Sequence, residues 1–293
     1  MLELPVIESP KLTTLRAPRP DWLKVKIPQG EKFSELKNLI REHALHTVCE
    51  EARCPNMAEC WNAGTATFMI LGDTCTRSCG FCAVKTGRPM LLDQEEPMHV
   101  AEAVRIMKLK HAVITSVNRD ELEDGGSTIF ARTITAVREQ NPGTTIEVLI
   151  PDFKGKETSL DAILNAKPDI LNHNTETVPS LYRVVRPQAK YSWTLKVLRR
   201  AKEQGFVTKT GVMLGLGESR EELLKVMMDL ASLRVDILTL GQYLQPTSSH
   251  LPVHRFLHPD EFAELRMIGL DLGFRIVESG PLVRSSYHAE QHV

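Results

Sequence analysis

After Cys82 the chain has no cysteine, although six lie between Cys49 and Cys82. A chain of 293 residues without a secretion signal can bury a sizeable core and needs no covalent staples, so three disulfides are the weaker reading of that cluster and metal ligation the stronger. Charge of one sign is missing too. Lys plus Arg number 36 against 37 Asp plus Glu, a net charge of −1, which leaves no whole-protein field to steer a polyanion or bind a membrane surface. Neither a nucleic acid nor a membrane is expected as a partner. No apolar run approaches the roughly 20 residues that span a bilayer. Residues 1–30 are rich in proline and mixed charge and lack the apolar stretch of a signal peptide, so a cytoplasmic protein is expected. Internal repeats and low-complexity segments are absent as well.

What is present is an ordered alternation. Pro5, Pro10, Pro18, Pro20 and Pro28 predict an extended arm over residues 1–30, because each fixes φ and removes a backbone donor. Phe33, Leu36, Leu39 and Ile40 share one face of a helix expected over Glu31–Ala44, and Pro55-Asn56 then mark a loop. From Thr65 onward, strands are expected over 67–71, 111–117, 144–150, 169–173, 206–214, 235–240 and 274–278. Helices are expected over 97–108, 127–140, 160–166, 178–185, 192–204, 221–233 and 260–272. Apolar strands alternating with helices predict an α/β fold with a parallel, helix-covered sheet. About six such units would make a partial (β/α)6 TIM-like barrel; a doubly wound open sheet would give the same alternation. The expected division is an extension over residues 1–64, the barrel over 65–280 and a tail over 281–293. In a barrel the working loops leave the C-terminal ends of the strands. Here those loops, at residues 75–82, 118–126, 172–176, 215–218 and 242–245, collect the polar, glycine and cysteine residues, while the opposite connections are short and plain. One working face follows.

The cysteines fall into two groups of three, Cys49-x4-Cys54-x5-Cys60 and Cys75-x3-Cys79-x2-Cys82. Thiolates are soft ligands that select Fe–S clusters, zinc or Cu(I). Structural zinc sites pair two C-x2-4-C or histidine knuckles, and a ferredoxin-type run supplies four cysteines per cluster. Three per group leave one coordination position unfilled in each, and an iron without a protein thiolate can bind a substrate or cofactor directly. A non-catalytic zinc or iron–sulfur binding module stays open on the spacing alone.

The second group, with the aromatic Phe81 before its last cysteine and a predicted first strand before it, resembles the radical S-adenosylmethionine superfamily. The first group is similar to the auxiliary-cluster motif of the lipoyl synthase family. That similarity extends through Cys-Pro-Asn at 54–56, Glu-Cys-Trp at 59–61, Gly-Thr-Ala-Thr-Phe-Met at 64–69 and Leu-Gly-Asp-Thr-Cys-Thr-Arg at 71–77. It continues in Val-Asn-Arg-Asp-Glu-Leu at 117–122, Asp-Gly-Gly at 124–126, His-Asn-Thr-Glu-Thr at 173–177 and Arg-Ser-Ser-Tyr at 284–287, and so covers residues 45–290. The resemblance implies two [4Fe–4S] clusters. One is held by Cys75, Cys79 and Cys82, with an open iron that chelates S-adenosylmethionine and an electron that releases a hydrogen-abstracting 5′-deoxyadenosyl radical. The other is held by Cys49, Cys54, Cys60 and a serine of the Arg-Ser-Ser-Tyr motif, Ser285 or Ser286, with Ser286 favoured. It donates sulfur to C6 and C8 of a protein-bound octanoyl-lysine. Serine is a hard and poor iron ligand beside thiolate, which suits a cluster that is dismantled in use. The C–H bonds concerned are too strong and nonacidic for acid–base catalysis, so a cofactor radical carries that step.

Further roles follow from the same resemblance. Met213, in the Gly211–Glu218 stretch, is implied as an apolar contact to adenine, with Glu218 supporting the strand end. Gly125 and Gly126 let a ligand approach their backbone. By their position rather than by the resemblance, Asn172 and Glu176, leaving the fourth strand, are expected to hydrogen-bond a ribose or the methionine carboxylate, Arg186 to pair with that carboxylate as a charge-assisted contact, and Gln242 and Tyr243, after the sixth strand, to contact adenine or substrate. His173 is expected to be a satisfied structural histidine. The helix bearing Lys196, Arg199, Arg200 and Lys202 is expected to be a solvated face or a dock for an acidic carrier. The implied partners are octanoylated lipoyl carrier domains of the 2-oxoacid dehydrogenase acyltransferase subunits and the glycine-cleavage H protein, a flavodoxin or ferredoxin reductant, and an iron–sulfur cluster carrier protein. The rival within the same chemistry is a biotin-synthase-like radical sulfur-inserting enzyme, which the second three-cysteine group and the Arg-Ser-Ser-Tyr tail disfavour.

Overall fold

Strand residues that alternate between an apolar outer face and a polar inner one set the architecture. The computed structural model describes residues 19–23, Thr47 and residues 56–292. The expected helix over Glu31–Ala44, most of the arm, and Cys49 and Cys54 lie outside the described residues. The strands are β1 (Thr65–Ile70), β2 (Thr74–Cys75), β3 (Lys85–Thr86), β4 (His111–Ser116), β5 (Thr145–Leu149), β6 (Ile170–Asn172), β7 (Val207–Leu214), β8 (Ile237–Gln242) and β9 (Ile276–Gly280). Seven of them form one parallel sheet in the order β1-β4-β5-β6-β7-β8-β9, and β2 and β3 pair separately. Strand order follows chain order with no point of reversal, which excludes a doubly wound sheet. β1 and β9 are the two edges, so the barrel is split. Six strand–helix units are followed by a seventh strand, which matches the seven strands expected.

The helices are α1 (Met57–Asn62), α2 (Glu96–Ile106), α3 (Ser127–Gln140), α4 (Glu157–Asn165), α5 (Tyr182–Val185), α6 (Tyr191–Glu203), α7 (Arg220–Ser232) and α8 (Pro259–Asp271). No helix among the described residues is long and apolar enough to cross a membrane. Phe68, Ile70, Ile114, Ile146 and Val148 share one buried cluster with Val100, Val104, Ile129 and Ile134 of the helices. Val212, Leu214, Leu238, Leu240 and Val277 do the same with Val226, Met227, Phe262 and Leu265. The core is therefore a shell between strands and helices. Inside the barrel the residues are polar: His111, Glu147, Asn172, Lys209 and Thr239 are all buried. Asn172 Nδ2 and Lys209 Nζ both donate to Glu147, each at 2.9 Å.

The segment after β9 runs along the split. Leu282 accepts at its carbonyl from Asn56 Nδ2 (2.8 Å), Ser285 Oγ accepts from Asn174 Nδ2 (2.7 Å), and Glu290 Oε2 accepts from Thr65 Oγ1 at the start of β1 (2.9 Å). Gly241 is required where this segment crosses β8, because a Cβ there would lie 2.2 Å from the Val283 carbonyl oxygen.

Candidate functional site

The loop carrying Cys75, Cys79 and Cys82 leaves the C-terminal end of β1 and is tied at both ends. Thr74 and Cys75 pair with Lys85 and Thr86, and Gly87 donates to the Cys75 carbonyl (3.0 Å). Inside this clasp Cys82 N donates to the Cys79 carbonyl (3.1 Å), a turn that brings the last two thiols round. Two backbone N–H groups, of Arg77 (3.4 Å) and Asn118 (3.3 Å), donate to Cys75 Sγ. The buried Arg77 then fixes the loop to its neighbours. Its guanidinium reaches Asp120 after β4 (2.7 Å) and Asp152 after β5 (2.6 Å), and although burial works against its charge, the two carboxylates raise its pKa overall. Leu251 N donates to the Gly80 carbonyl (3.0 Å), and His250 Nε2 lies 2.9 Å from the Cys82 carbonyl. A Cβ on Gly80 would meet Leu251 at 2.8 Å, so only glycine fits there.

Cys75 is buried and Cys79 and Cys82 are half-buried. Burial pushes the Cys79 thiol up to about 12 against the pull of Arg186, and Cys82 up to about 11 against a backbone hydrogen bond from Val84, with each thiol also feeling Cys75. The Cys79 and Cys82 thiols are thus neutral at pH 7 without metal, and metal must displace their protons. Among the described residues no three His, Cys, Asp or Glu side chains converge on a single ion. A zinc ion needs its sulfurs at about 2.3 Å from one centre. An iron–sulfur cubane takes each thiolate on a different iron. Three thiols on one clasped loop, one of them receiving two N–H···S bonds, suit a cluster in which each thiolate binds a different iron.

Around this loop the expected residues are brought together unevenly. Glu176, Arg186 and Cys79 share one electrostatic neighbourhood. Burial pushes the Glu176 carboxyl up, against the opposing pull of Arg186. Glu176 has a positive φ of 67°, held because its N–H donates to the Gly211 carbonyl and its carbonyl accepts from Met213 N, both at 2.8 Å. Arg186 Nη1 donates to the Asn174 carbonyl (2.8 Å), and its buried Nε has no hydrogen-bond partner among the described residues. Met213 and Phe81 are half-buried.

Asn172 and Gln242 are held elsewhere. Asn172 is the last residue of β6, fully buried and turned to Glu147. Gln242 Nε2 donates to the carbonyls of Leu214 (3.0 Å) and Arg255 (3.0 Å), and its Oε1 accepts from Leu257 N (2.9 Å), so its amide organises the strand end. Gly125 and Gly126 enter α3 with φ of 62° and 88°. A Cβ on Gly126 would sit 2.3 Å from Leu71 Cδ1, a packing reason for glycine that needs no ligand. His173 is buried between the Ile150 carbonyl and Thr194 Oγ1, and Glu218 accepts from the N–H groups of Gly215, Leu216 and Gly217. On α6, Lys196, Arg200 and Lys202 pair with Glu157, Asp161 and Asp236. Sequence reasoning missed Asp120, Asp152, His250 and Leu251 as holders of the cysteine loop. Their partners lie tens to more than a hundred residues away, and no local pattern signals such pairings.

A second convergence lies beside the split. α1 carries Cys60, and the preceding residue, Glu59, accepts from Tyr287 Oη (3.4 Å) and lies 3.2 Å from His288 Nε2. The Tyr287 hydroxyl, pushed up by burial and by Glu59, also feels Cys60. The segment with Ser285 and Ser286 therefore lies against the helix that ends the first cysteine group, more than 220 residues earlier in the chain.

Comparison with known proteins agrees with this geometry. The radical SAM superfamily pattern matches residues 69–230, and the N-terminal domain of lipoyl synthase matches residues 8–54. Lipoyl synthase of Rubrobacter xylanophilus is 60% identical over 275 residues, 93% of this chain and 86% of the relative. That of Flavobacterium johnsoniae is 57% identical over 276 residues, 94% and 96% of the two chains. A mitochondrial lipoyl synthase of Nematostella vectensis is 56% identical over 279 residues, 95% and 96%. Among solved structures, Streptococcus suis SuiB bound to its precursor peptide superposes with a TM-score of 0.59 at 10% identity, over 84% of this chain and 52% of its own. Methylornithine synthase does so at 0.54 and 16%, over 84% and 81%. These two share the fold.

Proposed function

The chain belongs to the lipoyl synthase family, and on that premise we propose how its residues divide the labour of a radical SAM sulfur-inserting enzyme. Membership brings a [4Fe–4S] cluster, S-adenosylmethionine and lipoyl carrier proteins as substrates. When bound, these cofactors supply a hydrogen-abstracting radical, and a second, auxiliary cluster supplies sulfur to C6 and C8 of the octanoyl-lysine.

Cys75, Cys79 and Cys82 hold the first cluster, on a loop that Arg77 keeps in register with the rims of β4 and β5. Cys49, Cys54, Cys60 and Ser286 hold the auxiliary cluster. The observation that carries this reading is the contact of Glu59 with Tyr287 and His288, which sets the Arg-Ser-Ser-Tyr segment against the Cys60 helix. Between the two serines, Ser285 is engaged by Asn174, which favours its neighbour as the ligand. Glu176 and Arg186 orient the polar end of S-adenosylmethionine, and Met213 and Phe81 line its apolar side. Gly125 and Gly126 contribute at most backbone. Asn172 contributes through its Oδ1, which has no hydrogen-bond partner among the described residues, and Gln242 acts by organising the strand end beside the cofactor, its amide being engaged by Leu214, Arg255 and Leu257. Residues 1–64, 65–280 and 281–293 act as auxiliary-cluster extension, barrel and closing tail. The carriers are the acyltransferase domains and the glycine-cleavage H protein, the reductant is a flavodoxin or ferredoxin, an iron–sulfur carrier protein rebuilds the spent cluster, and the setting is cytoplasmic.

The test is a comparison of Cys54→Ala with Cys79→Ala in reconstituted protein given octanoylated carrier peptide, S-adenosylmethionine and reductant. Cys54→Ala is expected to form 5′-deoxyadenosine without adding sulfur mass to the peptide, and Cys79→Ala to form neither. Equal loss of both products in the two variants contradicts the division, and wild-type 5′-deoxyadenosine formation with no sulfur gain contradicts the family chemistry itself.

A further inference from the structure

Residues 289–292 end in the floor of the barrel, far along the chain from the Cys75–Cys82 loop, and nothing in the sulfur-insertion chemistry uses them. Ala289 and His292 are nevertheless fully buried. His292 Nδ1 lies 3.2 Å from Lys209 Nζ, which itself donates to Glu147. The His292 carbonyl accepts from Arg275 Nη2 (2.9 Å), and His292 Nε2 stands 3.8 Å from Glu278 Oε1. His111 and Glu147 complete the surroundings, 3.7 Å apart, and Glu290 is held by Thr65 on the split edge. Burial, then the Lys209 charge, push the imidazole down to about 4, so it is neutral and its Nδ1 lone pair can receive the ammonium hydrogen. Burial of a polar side chain is costly unless it is hydrogen-bonded; His292 is bonded through Nδ1 and its carbonyl, while its buried Nε2 has no hydrogen-bond partner among the described residues and faces Glu278. The floor of this barrel thus offers a specific socket to the end of the tail.

We propose that His292 and Glu290 are positioning residues, which anchor the tail across the barrel split and thereby hold the Arg284–Tyr287 segment against the Cys60 helix. The consequence for catalysis rests on the assignment of Ser286 as auxiliary-cluster ligand. Between that serine and the socket the backbone makes one-turn hydrogen bonds, Tyr287 N to the Arg284 carbonyl and Gln291 N to the His288 carbonyl, and the Tyr287 and His288 side chains reach Glu59 on the Cys60 helix. Such turns cannot fix their own position, so the anchors at either end do so.

The experiment uses the reconstituted holoenzyme with His292→Ala, Glu290→Ala and His292→Gln, whose amide can still accept from Lys209. Amide hydrogen exchange over residues 283–291 is read beside the ratio of 5′-deoxyadenosine formed to sulfur inserted. Both alanine variants should speed exchange in this segment at least tenfold while β7 and β8 stay protected, and should raise the ratio several-fold. His292→Gln should restore both. Unchanged exchange in both alanine variants overturns the anchor. Faster exchange with an unchanged ratio overturns its positioning role, provided Ser286→Ala raises the ratio. If Ser286→Ala does not, the ligand assignment fails, and the anchor is judged on the exchange alone.

Discussion

Lys209 and Glu147 meet at 2.9 Å with both side chains fully buried. Burial alone would raise the Glu147 carboxyl, but Lys209 and His111 outweigh it and hold it down to about 2. Such a pair adds little net stability over an apolar replacement, yet loss of one partner strands a charge. Lys209→Met is therefore expected to cost about 3–5 kcal/mol, and the double variant Glu147→Gln/Lys209→Met less than the two single losses summed. Urea denaturation of the four proteins gives the coupling, and additive costs would show that the ion pair is not what the lumen depends on. The same reasoning explains why Arg77 needs both Asp120 and Asp152. Neither pairing was legible in the sequence, because a charged residue inside a strand or a cysteine loop does not reveal which distant carboxylate faces it.

Loops and helix starts carry a different kind of constraint, set by backbone geometry. Gly126 and Gly143 both have positive φ, 88° and 91°, so alanine at either costs about 1–2 kcal/mol in a left-handed conformation. They differ in surroundings. A Cβ at Gly143 meets nothing within 4 Å, whereas at Gly126 it would meet Leu71 Cδ1 at 2.3 Å. Overpacking adds a further ~1–3 kcal/mol at Gly126. Chemical denaturation should thus rank Gly126→Ala well below Gly143→Ala, and equal stabilities would mean that Leu71 yields at no cost. The helix start at Ser127 was expected from the strand–helix alternation; in the structure Gly126 is its N-cap, and Asp124 accepts from the N–H groups of Gly126 and Thr128, both at 2.9 Å. The reason for the second glycine was not readable, since Leu71 approaches it from another strand end.

At the scale of the molecule, the alternation of strands and helices and the single working face could be read from the sequence, because hydrophobic period and loop composition are local. The polar lumen could not, since His111, Glu147 and Lys209 look like solvent-facing residues until the barrel turns them inward. The lumen and the loop above it make the fold depend on pH. His173 is held neutral by burial and the nearby Arg186, and His292 by burial and Lys209, each pushed down to about 4. A depressed histidine contributes stability that is fully present above its unfolded value of about 6.5 and is lost as pH falls through the folded value. Between those limits the unfolded chain binds more protons, so stability must decline with falling pH, by up to ~3 kcal/mol for each group. The melting temperature should accordingly drop between pH 7 and pH 5 before the Glu147 carboxyl begins to titrate. His292→Gln, which removes one of the two protons involved, should show a shallower drop. A wild-type protein whose melting temperature stays flat across that interval would mean that both imidazoles open to solvent before the fold gives way, and that the floor of the barrel is not sealed by the tail.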